Sequence, residues 1–181
     1  NGENGFKIDH KPRNQRVKTR YKEQLKAAEI LGVKKVFFLN YKDCLLKNDD
    51  KLRKQIAVII KKVKPEIIFS FDPANRSFES VNLLHRDHRV ISEAVFDAVF
   101  AARNRYLIPG APFAVKTFWF FGCDKPNHFE NITKFINDKI RLISAHRSQF
   151  SEHDSMSEWV KTHLSSYTKK YRYSEKFRIV N

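Results

Sequence analysis

A strand–helix–strand alternation in the first half of the chain constrains its fold most strongly. Residues 35–39 and 67–71 are short runs of β-forming, mostly apolar residues, which are typical of buried strands. Between them, apolar residues in 52–63 recur at helical spacing; the aspartates 49–50 can cap this helix, and Pro65 ends it. Two strands joined by a helix through short links form a βαβ unit, which favours a parallel sheet.

The remainder of the chain continues the alternation of helices and strands. No internal repeat, low-complexity tract or interdomain linker interrupts it, so we expect one α/β domain over residues 1–181. The last forty or so residues read as a helical and irregular tail. The other predicted segments are loop 1–18, helix 19–31 with Thr19 as N-cap and Gly32 after its end, helix 88–103, strand 115–121, and a helix with Ile132, Phe135, Ile136, Ile140 and Ile143 on one stripe.

Composition excludes several classes of protein. Hydrophobic residues make up 41% and charged residues 30%, and no apolar run approaches the roughly 18 residues that span a bilayer. No signal peptide is visible, and Cys44 and Cys123 are far apart, so a cytoplasmic protein without a disulfide framework is expected. The net charge of +15 is spread along the chain. A solvated basic surface is the expected meaning of this charge, with an acidic substrate or nucleic acid as alternatives.

The tetrad His85-Arg86-Asp87-His88 is the strongest chemical signal. It follows the second predicted strand at the carboxyl end, where open α/β sheets bind ligands. Imidazole and carboxylate are groups that Zn²⁺ accepts, and His85 and His88, three residues apart at a helix start, would project from one side. One histidine could bind metal while the other faces the substrate, and Asp87 could orient an imidazole.

Alternative readings of these residues stay open at this point. A bare His-x-Asp-His is often only a polar helix start. The protein-kinase catalytic loop is excluded, since its asparagine position holds Ser92 and no glycine-rich loop is present. Arg20 could clamp a ligand and Asp43 could accept sugar hydroxyls, yet both types are common in solvated helices and turns.

Several segments, taken in order, resemble the PIG-L/LmbE family of zinc-dependent N-deacetylases over nearly the whole chain. The central match is the tetrad His85-Arg86-Asp87-His88, which has the His-x-Asp-His pattern of a family motif. The other matching segments are residues 1–5 (Asn-Gly-Glu-Asn-Gly), Arg20 to Glu23, 27–33 ending in Leu-Gly-Val, 38–43, 64–73, 98–104, 126–127 and 145–149 (Ala-His-Arg-Ser-Gln).

The resemblance implies a Rossmann-like three-layer α/β/α fold with a mostly parallel sheet. It implies metal-assisted hydrolysis of an N-acetyl group on an amino sugar or glycoconjugate. His88 would be a zinc ligand, His85 would stabilise the oxyanion or act as an acid, and Asp87 would tune that histidine. Glu3, Arg20 and Asp43 would contact the substrate.

One family motif, Ala-His-Pro-Asp-Asp, has no match in the sequence. It supplies two metal ligands and the general base in the family, so the N-terminal βα unit is expected to be missing and the 181 residues alone to be inactive. The leading hypothesis is therefore a zinc-dependent N-deacetylase whose other ligands lie upstream. The alternative is a degenerate family member that binds carbohydrate or polyanion without catalysis. No specific nucleic-acid partner and no membrane span are expected, and the oligomeric state is left open.

Overall fold

The computed structural model describes residues 2–5, 11–75, 85–150, 154–165 and 167–181. Within them lie five α-helices and a four-stranded sheet of order β1-β2-β4-β3. The helices are α1 (Arg13–Ile30), α2 (Asp50–Val63), α3 (Arg86–Ala102), α4 (Ile136–Ser144) and α5 (Asp154–Ser165). The strands are β1 (Ile67–Phe71), β2 (Thr117–Phe121), β3 (His128–Asn131) and β4 (Ser174–Val180).

The chain divides into two compact units, each described by itself. The first unit comprises residues 1–44 and 130–175, and the second comprises 45–129 and 176–181. In the first unit, α4 and α5 contribute to a core of buried apolar side chains, against which partly buried apolar side chains pack. Its buried members are Ile132, Ile136, Met156, Val160 and Leu164.

The second unit contains the α/β layer expected from the sequence. β1 and β2 are parallel, with Ile67 opposite Thr117 and Phe71 opposite Phe121, and α3 connects the two strands. α2 packs against α3 through small and branched side chains that include the fully buried Leu52. β2 and β4 are antiparallel, so the described sheet is mixed rather than mostly parallel.

The helix boundaries reflect local capping chemistry. Asp49 caps α2 by accepting a hydrogen bond from the N–H of Leu52 at 2.8 Å, and Lys64 ends the helix in the left-handed conformation before Pro65. The helix predicted from Thr19 begins at Arg13 instead, directly after Pro12. Residues 13–18 include good helix formers, and two of their arginines bind Glu3, so tertiary contacts support the earlier start.

The predicted strand at 35–39 is wrong. These residues form no ladder in the described structure, and Val36 to Leu39 are only half-buried. The Phe38 ring instead stacks on Tyr21 of α1 at 3.8 Å between centroids. The helical and irregular tail is wrong in part: α5 is helical, but Ser174–Val180 forms β4, because Phe118 to Phe120 of β2 supply its pairing partner.

Burial also corrects two expectations. β1 has the predicted bounds, yet Ile67 is 44% and Phe69 57% exposed, so alternate residues on one face of this strand lie open to solvent while Ser70 on the other face is buried. Phe135 is 61% exposed because it ends a 3-10 turn, Thr133–Phe135, that carries it off the buried stripe of α4. None of the described helices is both long enough and apolar enough to cross a membrane.

Candidate active-site residues

The two histidines of the tetrad lie side by side at the start of α3, in the second unit. His85 is the N-cap residue of α3, and its Nδ1 accepts a hydrogen bond from the backbone N–H of Asp87 at 3.2 Å. The His85 and His88 rings stack at 4.6 Å between centroids, and His88 stacks on Phe71 at 4.1 Å. The carboxyl end of β1 and the first turn of α3 therefore hold both imidazoles in one column.

The N-cap bond also sets the tautomer of a neutral His85. Because Nδ1 accepts from Asp87, the ring proton lies on Nε2, which leaves Nε2–H as a donor. The structure thus orients His85 through the backbone of Asp87.

The Asp87 carboxylate holds the start of α3 to the segment that precedes α2. Its Oδ1 accepts from the N–H of Leu46 at 3.3 Å and from Nη1 of Arg86 at 3.1 Å. The same Arg86 nitrogen donates to the carbonyl of Leu46 at 2.6 Å. This arrangement fixes the helix end that carries both histidines.

A buried ion pair lies at the same end of β1. Asp72 has a fully buried side chain and accepts two hydrogen bonds from Arg178 of β4, Nε to Oδ2 at 2.7 Å and Nη2 to Oδ1 at 2.5 Å. Oδ1 also accepts from the N–H of Ala74 at 2.8 Å. Sequence reasoning missed Arg178, whose only signal was a single arginine within the apolar run 177–180.

In the first unit, Glu3 and Asp43 are joined directly. Glu3 is 1% exposed, and its Oε2 accepts from the N–H of Asp43 at 3.3 Å while Oε1 accepts from Arg13 at 2.7 Å. Asn4 donates its N–H to Oδ2 of Asp43 at 3.0 Å and its side-chain amide to the Asp43 carbonyl at 3.2 Å. Asp43, a candidate for substrate contact, is thereby held in one orientation by the segment around Glu3.

The charge of Glu3 is stabilised by the same contacts. Burial raises the pKa of the Glu3 carboxyl, but hydrogen bonds from its own backbone, from Arg13 and from the backbone of Asp43 outweigh it. The pKa of Glu3 therefore lies below its ordinary value, and the group is ionised at neutral pH.

Arg20 belongs to a second cluster in the first unit. Its Nη1 lies 2.6 Å from Oε2 of Glu23, which also accepts from Oγ of Ser148 at 2.8 Å. Oε1 of Glu23 accepts from the N–H of Ser148 at 2.7 Å. Burial lowers the pKa of His146, and the nearby Arg20 lowers it further, while Glu23 partly opposes both. Glu23 and Ser148 lie in segments that resemble the family, but no role was assigned to them from the sequence, although Arg20 and Glu23 have the spacing of an i,i+3 ion pair.

The structure thus places the predicted site residues in three local clusters. His85, Asp87 and His88 gather at the start of α3, Glu3 joins Asp43, and Arg20 lies with Glu23. The roles assigned to them by resemblance stay predictions.

The sequence was compared with protein families and with individual proteins of known activity. Residues 1–99 match the PIG-L family, described as GlcNAc-PI de-N-acetylase. The diacetylchitobiose deacetylase of Thermococcus kodakarensis is 35% identical over 172 residues, which are 89% of this chain and 62% of that protein. The probable N-acetyl-alpha-D-glucosaminyl L-malate deacetylase 2 of Bacillus anthracis is 28% identical over 137 residues, covering 73% and 56%. The chain therefore spans about three fifths of these curated relatives.

The fold agrees with a solved relative. The N,N'-diacetylchitobiose deacetylase from Pyrococcus horikoshii, complexed with its inhibitor MPG, superimposes with a TM-score of 0.86 at 29% identity, covering 99% of this chain and 69% of that one. The family match covers more than half of the sequence and includes the His85–His88 tetrad. This chain belongs to the PIG-L family.

Proposed function

We propose that the protein is a zinc-dependent N-deacetylase that hydrolyses the N-acetyl group of an amino sugar or glycoconjugate. The observation that carries the proposal is the stacked His85–His88 pair at the start of α3 in a chain 35% identical to a diacetylchitobiose deacetylase. A three-layer Rossmann-like arrangement and a cytoplasmic location are part of the same proposal.

The residues present fit a metal in their donor chemistry. His88 would hold the ion: imidazole nitrogen is a common zinc ligand, and its ring is held between Phe71 and His85. A catalytic zinc takes about three protein ligands, so His88 supplies one of the set. When bound, zinc polarises the amide carbonyl and makes a water molecule more nucleophilic at neutral pH.

His85 would act on the reacting amide as a hydrogen-bond donor. Its Nδ1 accepts from the N–H of Asp87, so Nε2–H would be the donor that stabilises negative charge on the carbonyl oxygen. Asp87 would tune this histidine by fixing its ring, since its carboxylate and backbone both hold the first turn of α3.

Glu3, Arg20 and Asp43 would form the substrate-binding site. Hydroxyl and acetamido groups of a sugar suit a carboxylate and a guanidinium that hydrogen bonds hold in fixed positions. Because the Glu3 carboxylate is almost completely buried and bonded on both oxygens, it would contribute chiefly by orienting Asp43.

The test is acetate release from N,N'-diacetylchitobiose by the protein with all of its natural flanking sequence. We expect activity that a chelator removes and zinc restores, and that His88→Ala abolishes. His163→Ala is the matched control, since His163 is an exposed histidine of α5 and should leave activity unchanged. Activity that survives both chelation and His88→Ala would refute the proposal.

A degenerate, non-catalytic family member is the second candidate, and the net charge of +15 favours it. It would bind a carbohydrate or polyanion without turnover. Saturable sugar binding with no acetate release from the zinc-loaded protein would support this candidate.

A further inference from the structure

The cluster around Glu23 is built from parts of the chain that are far apart in sequence. Glu23 lies on α1, and Ser148 lies in the 3-10 turn Arg147–Gln149, 125 residues later. The side-chain amide of Gln149 donates to the carbonyl of Gly5 at 2.6 Å, which adds the N-terminal turn to the same cluster. All of these residues belong to the first unit.

Glu23 is the residue on which the contacts converge. Its side chain is 11% exposed, and its two oxygens accept three hydrogen bonds, two from Ser148 and one from Arg20. The Arg20 side chain is 14% exposed, so the ion pair is largely removed from water. The charges of Arg20 and Glu23 therefore compensate each other within this pair.

Two polar atoms beside this ion pair have no hydrogen-bond partner in the described structure. They are Nε of Arg20 and Nδ1 of His146, and both are buried. A buried polar atom without a partner indicates a place for a ligand or a water molecule. A Cβ at residue 2 would lie 3.2 Å from Arg20 Nε, so glycine at this position keeps a side chain from crowding that atom.

The chemistry of the two atoms selects the ligand group. Arg20 Nε–H can only donate, whereas a neutral imidazole nitrogen can accept. Burial and the Arg20 charge keep His146 neutral at pH 7, since both lower its pKa. A hydroxyl can satisfy both atoms by accepting from Arg20 and donating to His146. An anion could satisfy only Arg20, whose charge Glu23 already compensates.

We propose that Glu23 is a positioning residue that holds Arg20 and the His146-bearing turn so that they receive a hydroxyl of an uncharged sugar and not an anion. This inference rests on the proposed function, because it specifies which part of an amino-sugar substrate the cluster recognises. Glu23 itself does not touch the sugar.

The test compares Glu23→Gln with Glu29→Gln. The control is matched because Glu29 lies on the same helix and makes the same i,i+3 type of ion pair, with Lys26 at 2.9 Å, but its side chain is 71% exposed. The probes are N,N'-diacetylchitobiose and inorganic phosphate. Binding and the titration of His146 are followed by NMR of labelled imidazole rings and of Arg20 Nε–H.

We expect wild type and Glu29→Gln to bind the sugar, to shift both reporter signals, and to ignore phosphate. Glu23→Gln should bind the sugar about tenfold more weakly, as expected for loss of a charged hydrogen-bond partner, and should begin to bind phosphate. The pKa of His146 should fall further in Glu23→Gln, because among the described residues Arg20 lowers this pKa and Glu23 raises it.

Equal behaviour of Glu23→Gln and Glu29→Gln would overturn the proposal, as would wild-type preference for phosphate. If Glu23→Gln does not fold, Ser148→Ala decides, since it removes one hydrogen bond and keeps the charge. Weaker sugar binding in that variant supports the proposal, and unchanged binding overturns it. None of these readouts requires turnover. Sugar bound at His146 without acetate release would therefore refute the proposed deacetylase activity but not the role proposed for Glu23.

Discussion

At the scale of single residues, Glu3 joins two segments of the first unit through opposite oxygens of one carboxylate. One oxygen accepts from Arg13 and the other from the backbone of Asp43. Replacing Glu3 with Gln keeps the shape and removes the charge. We expect a loss of about 1–3 kcal/mol in the free energy of unfolding, measured by urea denaturation. Glu29→Gln, at an exposed glutamate, should change it little.

The contribution of Glu3 should also depend on pH. Its pKa is lower in the folded protein than in the unfolded chain, so the stabilisation is fully present above the ordinary value of 4.5. It is lost as the pH falls through the folded value. The stability difference between wild type and Glu3→Gln should therefore shrink on acidification below 4.5, and a constant difference would contradict the assignment.

The two cysteines should differ in reactivity. Cys44 is exposed, whereas Cys123 is buried, and burial followed by the nearby Asp72 carboxylate raises the pKa of the Cys123 thiol. Since the thiolate is the reactive form, iodoacetamide should modify Cys44 first in the native protein. Mass spectrometry of peptides after brief treatment measures this. In urea both cysteines should react. If iodoacetamide modified Cys123 in the native protein as fast as Cys44, that result would contradict the burial of Cys123.

Resemblance to the family named Glu3, Arg20 and Asp43, but the sequence did not specify the partners that lie far away along the chain. Arg13 is 10 residues and Asp43 is 40 residues from Glu3, and Ser148 is 125 residues from Glu23. Contacts over such separations depend on how the chain folds back, which local propensity does not specify. The proximity of His85 and His88 was easier to predict, because a spacing of three residues at the start of a helix places the two side chains next to each other.

At the scale of elements, Asp72 and Arg178 link β1 to β4, which are separated by β2 in the sheet. Asp72→Asn leaves Arg178 partly buried without its counter-charge, so we expect a loss of about 3 kcal/mol in unfolding free energy. A double-mutant cycle with Arg178→Met measures the coupling by urea denaturation. Additive effects of the two substitutions would show that the pair is not coupled.

The elements that sequence predicted best are those with local signals. α2 begins and ends where its Asp cap and Pro65 place it, and β1 has its predicted bounds. β4 was missed because a strand is defined by its partner, here β2 more than fifty residues earlier. Residues 35–39 show the converse: they have the composition of a strand but no ladder in the described structure.

At the scale of the whole molecule, the expectation of an α/β fold is confirmed by the mixed sheet and by the superposition on a deacetylase of known structure. The order of strands was beyond the sequence, because β4 enters the sheet between β2 and β3 from the far end of the chain. The single domain expected over residues 1–181 stays a prediction.

The net charge of +15 also acts at this scale. Because the 35 Lys and Arg are spread along the chain, we expect weak binding to DNA that is independent of base sequence. If about six phosphates are neutralised, affinity should fall about a thousandfold between roughly 50 mM and 200 mM salt. Fluorescence anisotropy with two duplexes of unrelated sequence, over a salt series, measures both properties. Uncharged dextran is the control, and it should not compete with DNA for the protein because it carries no phosphate groups. A marked preference for one duplex would mean that base edges are read directly and would contradict the expectation of no specific nucleic-acid partner. Binding that salt does not weaken would contradict its electrostatic origin.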